Sequence, residues 1–279
     1  MTLYIVATPI GNLEDMTERA VRILKEVDVC YAEDTRHALG LFRRFGIETR
    51  LAAYHDHSSD ETRARIVHEL QGGRRVALIS DAGTPCISDP GYRLVRLARA
   101  SGVAVEPIPG PSALTAFLSA SGLPTDRFMF AGFLPQKAKA RRERLSELLE
   151  QEMTVVVYES PKRLQATLEE LDALCPAREV VVARELTKLH ETWVLGRPRE
   201  VYEALDAAGG WRGEIVLGFV GPPKAAPAGD EVDGWITSLT AAGLGARTIA
   251  DLLQKRFELP RKELYQRALA ARDEGGDAS

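Results

Sequence analysis

Short apolar, β-branched runs alternate with longer amphipathic segments along most of this chain, and that alternation restricts the fold more than any other feature. The runs are LYIVA (3–7), VDVCYA (27–32), RVALIS (75–80), VAVEPI (103–108), FMFAGF (128–133), TVVVYE (154–159), EVVVARE (179–185) and EIVLGFV (214–220). Several are apolar at nearly every position, as strands covered on both faces are. Between them, segments near 16–26, 60–71, 90–101, 112–121, 138–151, 162–174 and 199–207 carry helical periodicity. Strand and helix in this order predict an α/β protein with mainly parallel sheets.

At 279 residues the chain exceeds one average domain. Turn residues in SGLPTD, 121–126, interrupt the pattern, and GPPKAAPAGDE, 221–231, reads as a linker. The expected division is an N-terminal α/β domain over 1–122, a second over 123–222, and a linker with a helical tail over 223–279. In the tail, ARTIADLLQKRFELPRKELYQRAL predicts two short helices broken at Pro260. Such a pair resembles a helix-turn-helix. From 225 onward, however, seven basic residues face nine acidic ones, so a small packing module is expected rather than a reader of DNA.

Several function classes are excluded early. The formal net charge of −4 gives no general affinity for nucleic acid. The three cysteines, Cys30, Cys86 and Cys175, are odd in number and form no CxxC, so they build neither a disulfide framework nor a zinc site by themselves. Each is expected to be a reduced and mostly buried thiol. MTLYIVATPIG lacks the basic start and long apolar stretch of a signal peptide, and no apolar run reaches membrane-spanning length. The expectation is a cytoplasmic protein.

In open α/β sheets, ligands sit beyond the carboxyl ends of the strands. The segments there are TPIGNLEDMT (8–17), EDTR (33–36), SDAGTPCISDPG (80–91), PGPSA (109–113), LPQKAKARRER (134–144), SPKR (160–163) and ELTKLHE (185–191). None matches the glycine fingerprints of dinucleotide or nucleoside triphosphate sites. The loop over 80–91 has no lysine or arginine, and Asp81 and Asp89 would repel a pyrophosphate. Carboxylates suit ribose hydroxyls, an amino group or a cation instead. S-adenosylmethionine offers all three, and other nucleosides remain open. Asp15 and Asp89 are read as caps of the helices that follow; Asp34 with Thr35, and Ser112, are cap candidates too.

Taken together, TPIGNLEDMT, AEDTR, SDAGTPCISDPG, PGPSA, FAGFLP, YESPKR and RELTKLHE resemble the ribosomal RNA small-subunit methyltransferase I family, within the tetrapyrrole-methylase-like superfamily of class III methyltransferases. The match runs from about residue 3 to 220 in order. The resemblance implies two α/β domains with S-adenosylmethionine in the cleft between them, a small C-terminal helical module, and a homodimer. It implies 2′-O-methylation of a cytidine in the decoding region of small-subunit ribosomal RNA. By position, Pro9, Asp81, Gly83, Thr84, Ser112 and Ala113 would line the cofactor site from one side, and Tyr158, Glu214, Ile215 and Val216 from the other. The superfamily's tetrapyrrole enzymes usually carry a glycine-rich first loop; TPIGNLED departs from it, which counts against a tetrapyrrole substrate. C-methylation of a tetrapyrrole and a non-catalytic nucleoside- or ribosome-binding module are the competing readings.

Methyl transfer from a sulfonium is an in-line displacement, and much of its rate comes from alignment. A ribose hydroxyl also gains from a base, or from a cation beside the developing charge. The candidates are Glu33, Asp34, Arg36, Glu159, Arg184, Glu185, Lys188 and Glu191, with Glu185 and Lys188 preferred and Glu33 and Arg36 next. For RNA contact, Lys137, Lys139, Arg141, Arg142 and Arg144 form a basic run after a strand-end loop, with Lys162 and Arg163 similar; a solvated helix face is the alternative. His55 and His57 flank Asp56, and a structural or RNA-facing loop is favoured there over a metal pair.

Overall fold

A computed structural model describes residues 1–222, 229–257 and 259–276. Residues Met1–Gly221 form one compact unit and Pro222–Ser279 a second. Most of the expected linker, 221–231, lies outside the described residues.

The first half of the larger unit runs β1 (Thr2–Val6), α1 (Glu18–Glu26), β2 (Val29–Ala32), α2 (Thr35–Phe45), β3 (Leu51–Ala53), α3 (Asp60–Gln71), β4 (Val76–Ile79), α4 (Tyr92–Ala100), β5 (Ala104–Ile108) and α5 (Ala113–Ala120). Its sheet has the order β3-β2-β4-β1-β5 and is parallel throughout. All residues of β2 and β4 are buried, as their unbroken apolar sequences require. The helices start where side chains satisfy their first amides: the Thr17 hydroxyl accepts from the Ala20 N–H, the Asp34 carboxylate from the Arg36 N–H, and the Ser59 hydroxyl from the Thr62 N–H. Gly46, with φ of 61°, closes α2 in the left-handed conformation. Because β4 inserts between β2 and β1, the loops after β1 and β4 emerge side by side at the switch in strand order. A short bridge joins them: Thr8 N–H donates to the Gly83 carbonyl at 2.9 Å and Gly83 N–H to the Thr8 carbonyl at 3.0 Å.

The second half runs β6 (Phe128–Phe133), α6 (Ala138–Leu149), β7 (Thr154–Glu159), α7 (Pro161–Leu174), β8 (Val180–Arg184), β9 (Thr192–Gly196), α8 (Pro198–Ala207) and β10 (Ile215–Phe219). Its sheet, β6-β7-β10-β8-β9, departs from the parallel expectation: only β6 and β7 are parallel, and β10 runs antiparallel between β7 and β8. Ile215, at the start of β10, therefore pairs with Glu159 and with Arg184, the last residues of its neighbours. Three chain segments thus meet at one edge. A core of Phe117 and Leu118 from α5, Ile10 from the first loop, and Val156, Val181 and Val216 from the second sheet ties the halves together.

The smaller unit holds α9 (Gly229–Ala241), α10 (Ala246–Phe257) and α11 (Arg261–Gly276). Val232, Ile236, Ile249, Leu253 and Leu264 give it a core of its own. The helices at 246 and 261 match the two expected around Pro260; α9 precedes them. Among the described residues, no helix is long and apolar enough to cross a membrane.

Candidate active site

The strand-end loops of both halves enclose a cleft of about 300 Å³. Gly83 and Thr84 line it from the loop after β4, Ser112 and Ala113 from the start of α5, Tyr158 from the end of β7, and Glu214, Ile215 and Val216 from β10. These are eight of the residues expected around a cofactor. The other two, Pro9 and Asp81, line an adjoining cavity of about 500 Å³. Ile10, Ala82 and Glu214 belong to the walls of both.

The first cleft contains no lysine or arginine in its lining; its ionisable acids are Asp89, Glu159 and Glu214. Asp89 does not cap α4, contrary to the sequence expectation. Gly91 takes that position without a side-chain bond, and Asp89 lies in the cleft wall instead. Burial pushes its carboxyl up to about 6; the carboxylates of Glu33, Asp81 and Asp56 add to this and a Ser80 hydrogen bond subtracts. Asp15 likewise is no cap. It ends a single 3₁₀ turn, Leu13–Asp15, and Thr17 caps α1. Ser112 does stand at the N-terminus of α5, without a side-chain capping bond, and the residue lines the cleft.

Apolar and aromatic groups supply the rest of the first cleft. Tyr158 is held edge-on to Phe130 and Phe133, with centroids 4.7 and 5.6 Å away, and burial pushes its hydroxyl up to about 12. Phe133 and Ile87, both cleft-lining, are among the large apolar residues left exposed. The loop over 80–91 is conformationally costly: Cys86 and Ser88 adopt φ of 72° and 61°. Non-glycine residues enter that region rarely, and such strain concentrates where a loop is shaped for a ligand.

Glu185 and Lys188 come together at the boundary of the two cavities. The Lys188 ammonium donates to Glu185 at 2.8 Å and to Glu214 at 3.0 Å, and it lines the second cavity. The turn carrying it is strained as well, with Glu185 and Thr187 at φ of 55° and 65°. Two glycines make room for the pair. A Cβ on Gly11 would run into the Lys188 chain, and one on Gly213 would stand 2.6 Å from the Glu185 carboxylate. Glu185 is held below the usual carboxylate range, chiefly by its bond from Lys188. Burial pulls Lys188 down, but its bonds to the two carboxylates outweigh that and leave it above an ordinary lysine. The pair is a fixed ammonium between carboxylates, not a neutral amine.

The remaining candidates separate. Arg36 lines the second cavity, exposed and forked onto Asp34 at 2.7 and 3.1 Å. Glu33 lines neither cavity; burial raises its carboxyl, and Asp81 and Asp56 raise it further. Glu159 is buried, and its oxygens accept from the Ser160 N–H, Arg163 and Thr167, which commits it to holding the start of α7. The rings of His55 and His57 have centroids 6.3 Å apart.

The basic run divides in the same way. Lys137, at the N-cap of α6, and Lys139 and Arg142 on the helix are exposed, and Arg144 is half-exposed, bridged to Glu147. Arg141 is a correction to the expected phosphate contacts: it is 5% exposed and forked onto Glu170 at 2.7 and 3.0 Å. It pins α6 to α7 and has no face toward solvent. Arg163 is likewise engaged by Glu159, whereas Lys162 is exposed.

Residues that sequence reasoning missed are Ile10, Ala82, Leu186 and Gly213 around the first cleft, and His37, Gly40 and Leu41 on α2 around the second. Helix α2 had a readable signal in the spacing of Ala38, Leu41, Phe42 and Phe45 before Gly46. Gly213 had none, since only the antiparallel course of β10 brings its start to this edge.

Comparison with known proteins agrees with this architecture. The tetrapyrrole (corrin/porphyrin) methylase family matches residues 2–201. A protein of Pseudomonas aeruginosa described as ribosomal RNA small subunit methyltransferase I is 47% identical over 274 residues, covering 96% of each chain. One of the same description from Mesorhizobium japonicum is 45% identical over 277 residues, covering 99% of this chain and 94% of that one. Among solved structures, uroporphyrin-III C-methyltransferase from Thermus thermophilus superposes with a TM-score of 0.55 at 20% identity, over 78% of this chain and 94% of that one. A diphthine synthase does so with a TM-score of 0.60 at 15% identity, over 78% and 89%. At those identities the structures speak for the fold alone. The fold, the two linked cavities and the full-length likeness converge: the chain belongs to the tetrapyrrole methylase family, within its ribosomal RNA small subunit methyltransferase I branch.

Proposed function

We propose that this protein transfers a methyl group from S-adenosylmethionine to the ribose 2′-oxygen of a cytidine in small-subunit ribosomal RNA, acting in the cytoplasm as a homodimer. The observation that carries this reading is the pairing of a carboxylate-edged cleft without cations with a second cavity holding a clamped ammonium at their shared wall.

The first cleft fits the cofactor. Its apolar walls, Tyr158, Leu186, Ile215 and Val216, suit a nucleoside, and its acids suit a cationic ligand and disfavour a polyphosphate. When bound, the sulfonium supplies an electrophilic methyl carbon with a neutral thioether as its leaving group. Glu185 and Glu214 keep Lys188 protonated, so it serves as the positive charge beside the attacking oxygen rather than as the base. The hydroxyl proton passes to solvent. Lys137, Arg142 and Lys139, the last ion-paired to Glu143 at 4.0 Å, are exposed cations that can meet RNA phosphates beyond the end of β6.

The test is transfer of labelled methyl to free ribosomal RNA, assembled small subunits and a tetrapyrrole precursor in parallel. Label in RNA that resists alkaline cleavage at one cytidine is the expected result. Label in the tetrapyrrole, or none despite cofactor binding, overturns the reading.

Asp89 gives a second check. Its folded-state carboxyl, near 6, lies above the ordinary 3.8. The folded chain therefore holds a proton that the unfolded chain has lost between these values, and Asp89's contribution to stability falls as pH rises through that window. A cationic ligand favours the ionised form, so S-adenosylmethionine affinity is expected to increase from pH ~5 to ~7, with proton release near 6. Calorimetry in buffers of different ionisation heat measures this release, and Asp89→Asn should flatten the profile. A flat profile in the unaltered protein would remove Asp89 from the cofactor site.

A further inference from the structure

We infer that the second cavity is a pocket for one nucleotide unstacked from the RNA, with its base inside and its ribose toward Lys188; this rests on the methyl-transfer reading above. Nothing in the comparisons assigns this cavity. At about 500 Å³ it has the size of a small-molecule site. It shares Ile10, Ala82 and Glu214 with the first cleft, so a group seated in it meets the cofactor site across a common wall. The two spaces differ in charge. The first has no lysine or arginine in its lining, whereas the second sets Arg36, His37 and Lys188 beside Asp81 and Glu214. Only the second therefore offers cations to a phosphorylated ligand, while the first offers it carboxylates alone.

The wall provided by α2 supports the same assignment. Gly40 lies in that helix and lines the cavity. Glycine weakens a helix interior relative to alanine. No contact explains it, because a Cβ there would meet nothing within 4 Å, and its φ is not positive. What the missing side chain leaves is open space at the cavity's α2 wall. Gly11, which also lines the cavity, is bare for a different reason, the passage of the Lys188 chain. The Lys188 side chain is 27% exposed, recessed between Gly11 and its two carboxylates. A ribose held in a stacked helix does not reach a recessed cation, whereas a nucleotide swung out of its stack does. Recognition of single RNA nucleotides commonly works on unstacked bases. Arg36, already oriented by Asp34, stands exposed where flanking phosphates would pass.

Gly40→Phe and Gly40→Leu fill the cavity from a position with free space and leave the first cleft untouched; Gly234→Phe, on α9 with equally free space, is the control. Both Gly40 variants should bind S-adenosylmethionine as the unaltered protein does and lose about tenfold or more in kcat/KM for RNA, with Gly234→Phe unchanged. RNA carrying pyrrolocytidine at the methylated position should brighten on binding the unaltered protein and not on binding Gly40→Phe. Undiminished methyl transfer by both Gly40 variants overturns the inference while leaving the proposed function standing. So does an absence of brightening with the unaltered protein. Loss of cofactor binding in both variants would assign the cavity to the cofactor and overturn it as well. Failure of the unaltered protein to label RNA strikes the function itself, and the fluorescence arm does not depend on transfer.

Discussion

Lys188→Met is expected to lower kcat by about 10²- to 10³-fold with S-adenosylmethionine affinity nearly unchanged, the scale of losing one preorganised charge beside a developing oxyanion. Methionine keeps most of the chain's length and packing and removes only the ammonium. The first cleft does not count Lys188 in its lining, so cofactor affinity should hold. Single-turnover methyl transfer to RNA, with calorimetric titration of the cofactor, measures the two quantities separately. A companion variant removes no functional group: Gly11→Ala places a methyl where the Lys188 chain lies, and should displace the ammonium and lower kcat in the same direction. If Lys188→Met retained its kcat, the clamped ammonium would be a structural tie between the turn after β8 and the start of β10, and not part of the chemistry. The clamp geometry also predicts that Glu185→Gln, which keeps an acceptor for the Glu214 N–H at 2.8 Å, is milder than Lys188→Met.

Phe117→Ala is expected to cost about 3–5 kcal/mol of stability, the range for truncating a fully buried aromatic residue. Phe117 is 0% exposed and stacks on Trp193 with centroids 5.6 Å apart. Its ring also fills the space over Gly218 of β10, where a Cβ would stand 2.5 Å from it. It comes from α5 of the first half and packs on the sheet of the second, in the core beneath the cleft. The cavity left by alanine therefore opens at the joint that sets the cleft's width. Denaturant unfolding should show the lowered midpoint, and cofactor affinity should fall with it. Stability within about 1 kcal/mol of the unaltered protein would mean that the two halves are held together elsewhere.

Much of the secondary structure was legible because its signals are local. Unbroken apolar runs such as VALI and VVVA mark covered strands, and helical spacing of apolar residues marks the helices. Strand β3 escaped with only three residues and no β-branched side chain, and the edge strand β9 because the apolar run in its TWVLG is only WVL and the strand is only half-buried. Helix α2 escaped although its apolar spacing and Gly46 were present, and with it went the wall of the second cavity. The candidate site was legible as a set of loops but not as an arrangement. Asp89 and Asp15 both sit where a cap is plausible, and only the actual turn geometry moves the caps to Gly91 and Thr17. Arg141 and Arg142 are adjacent and chemically alike, yet one helix face turns the first onto Glu170 and the second to solvent.

By itself, the sequence determined the alternation of strands and helices, the ordered loops at their ends, the family those loops resemble and the absence of cations in the loop over 80–91. These properties are written in spacing and residue type, which act over a few neighbours. Only the tertiary structure decided that Pro9 and Asp81 face one cavity and Gly83 and Thr84 the other, and that Glu159 is already satisfied. It alone joined Lys188 to Glu214, 26 residues away, through the antiparallel course of β10. A side chain's environment is set by contacts between distant segments, and those exist only once the sheets have formed and packed.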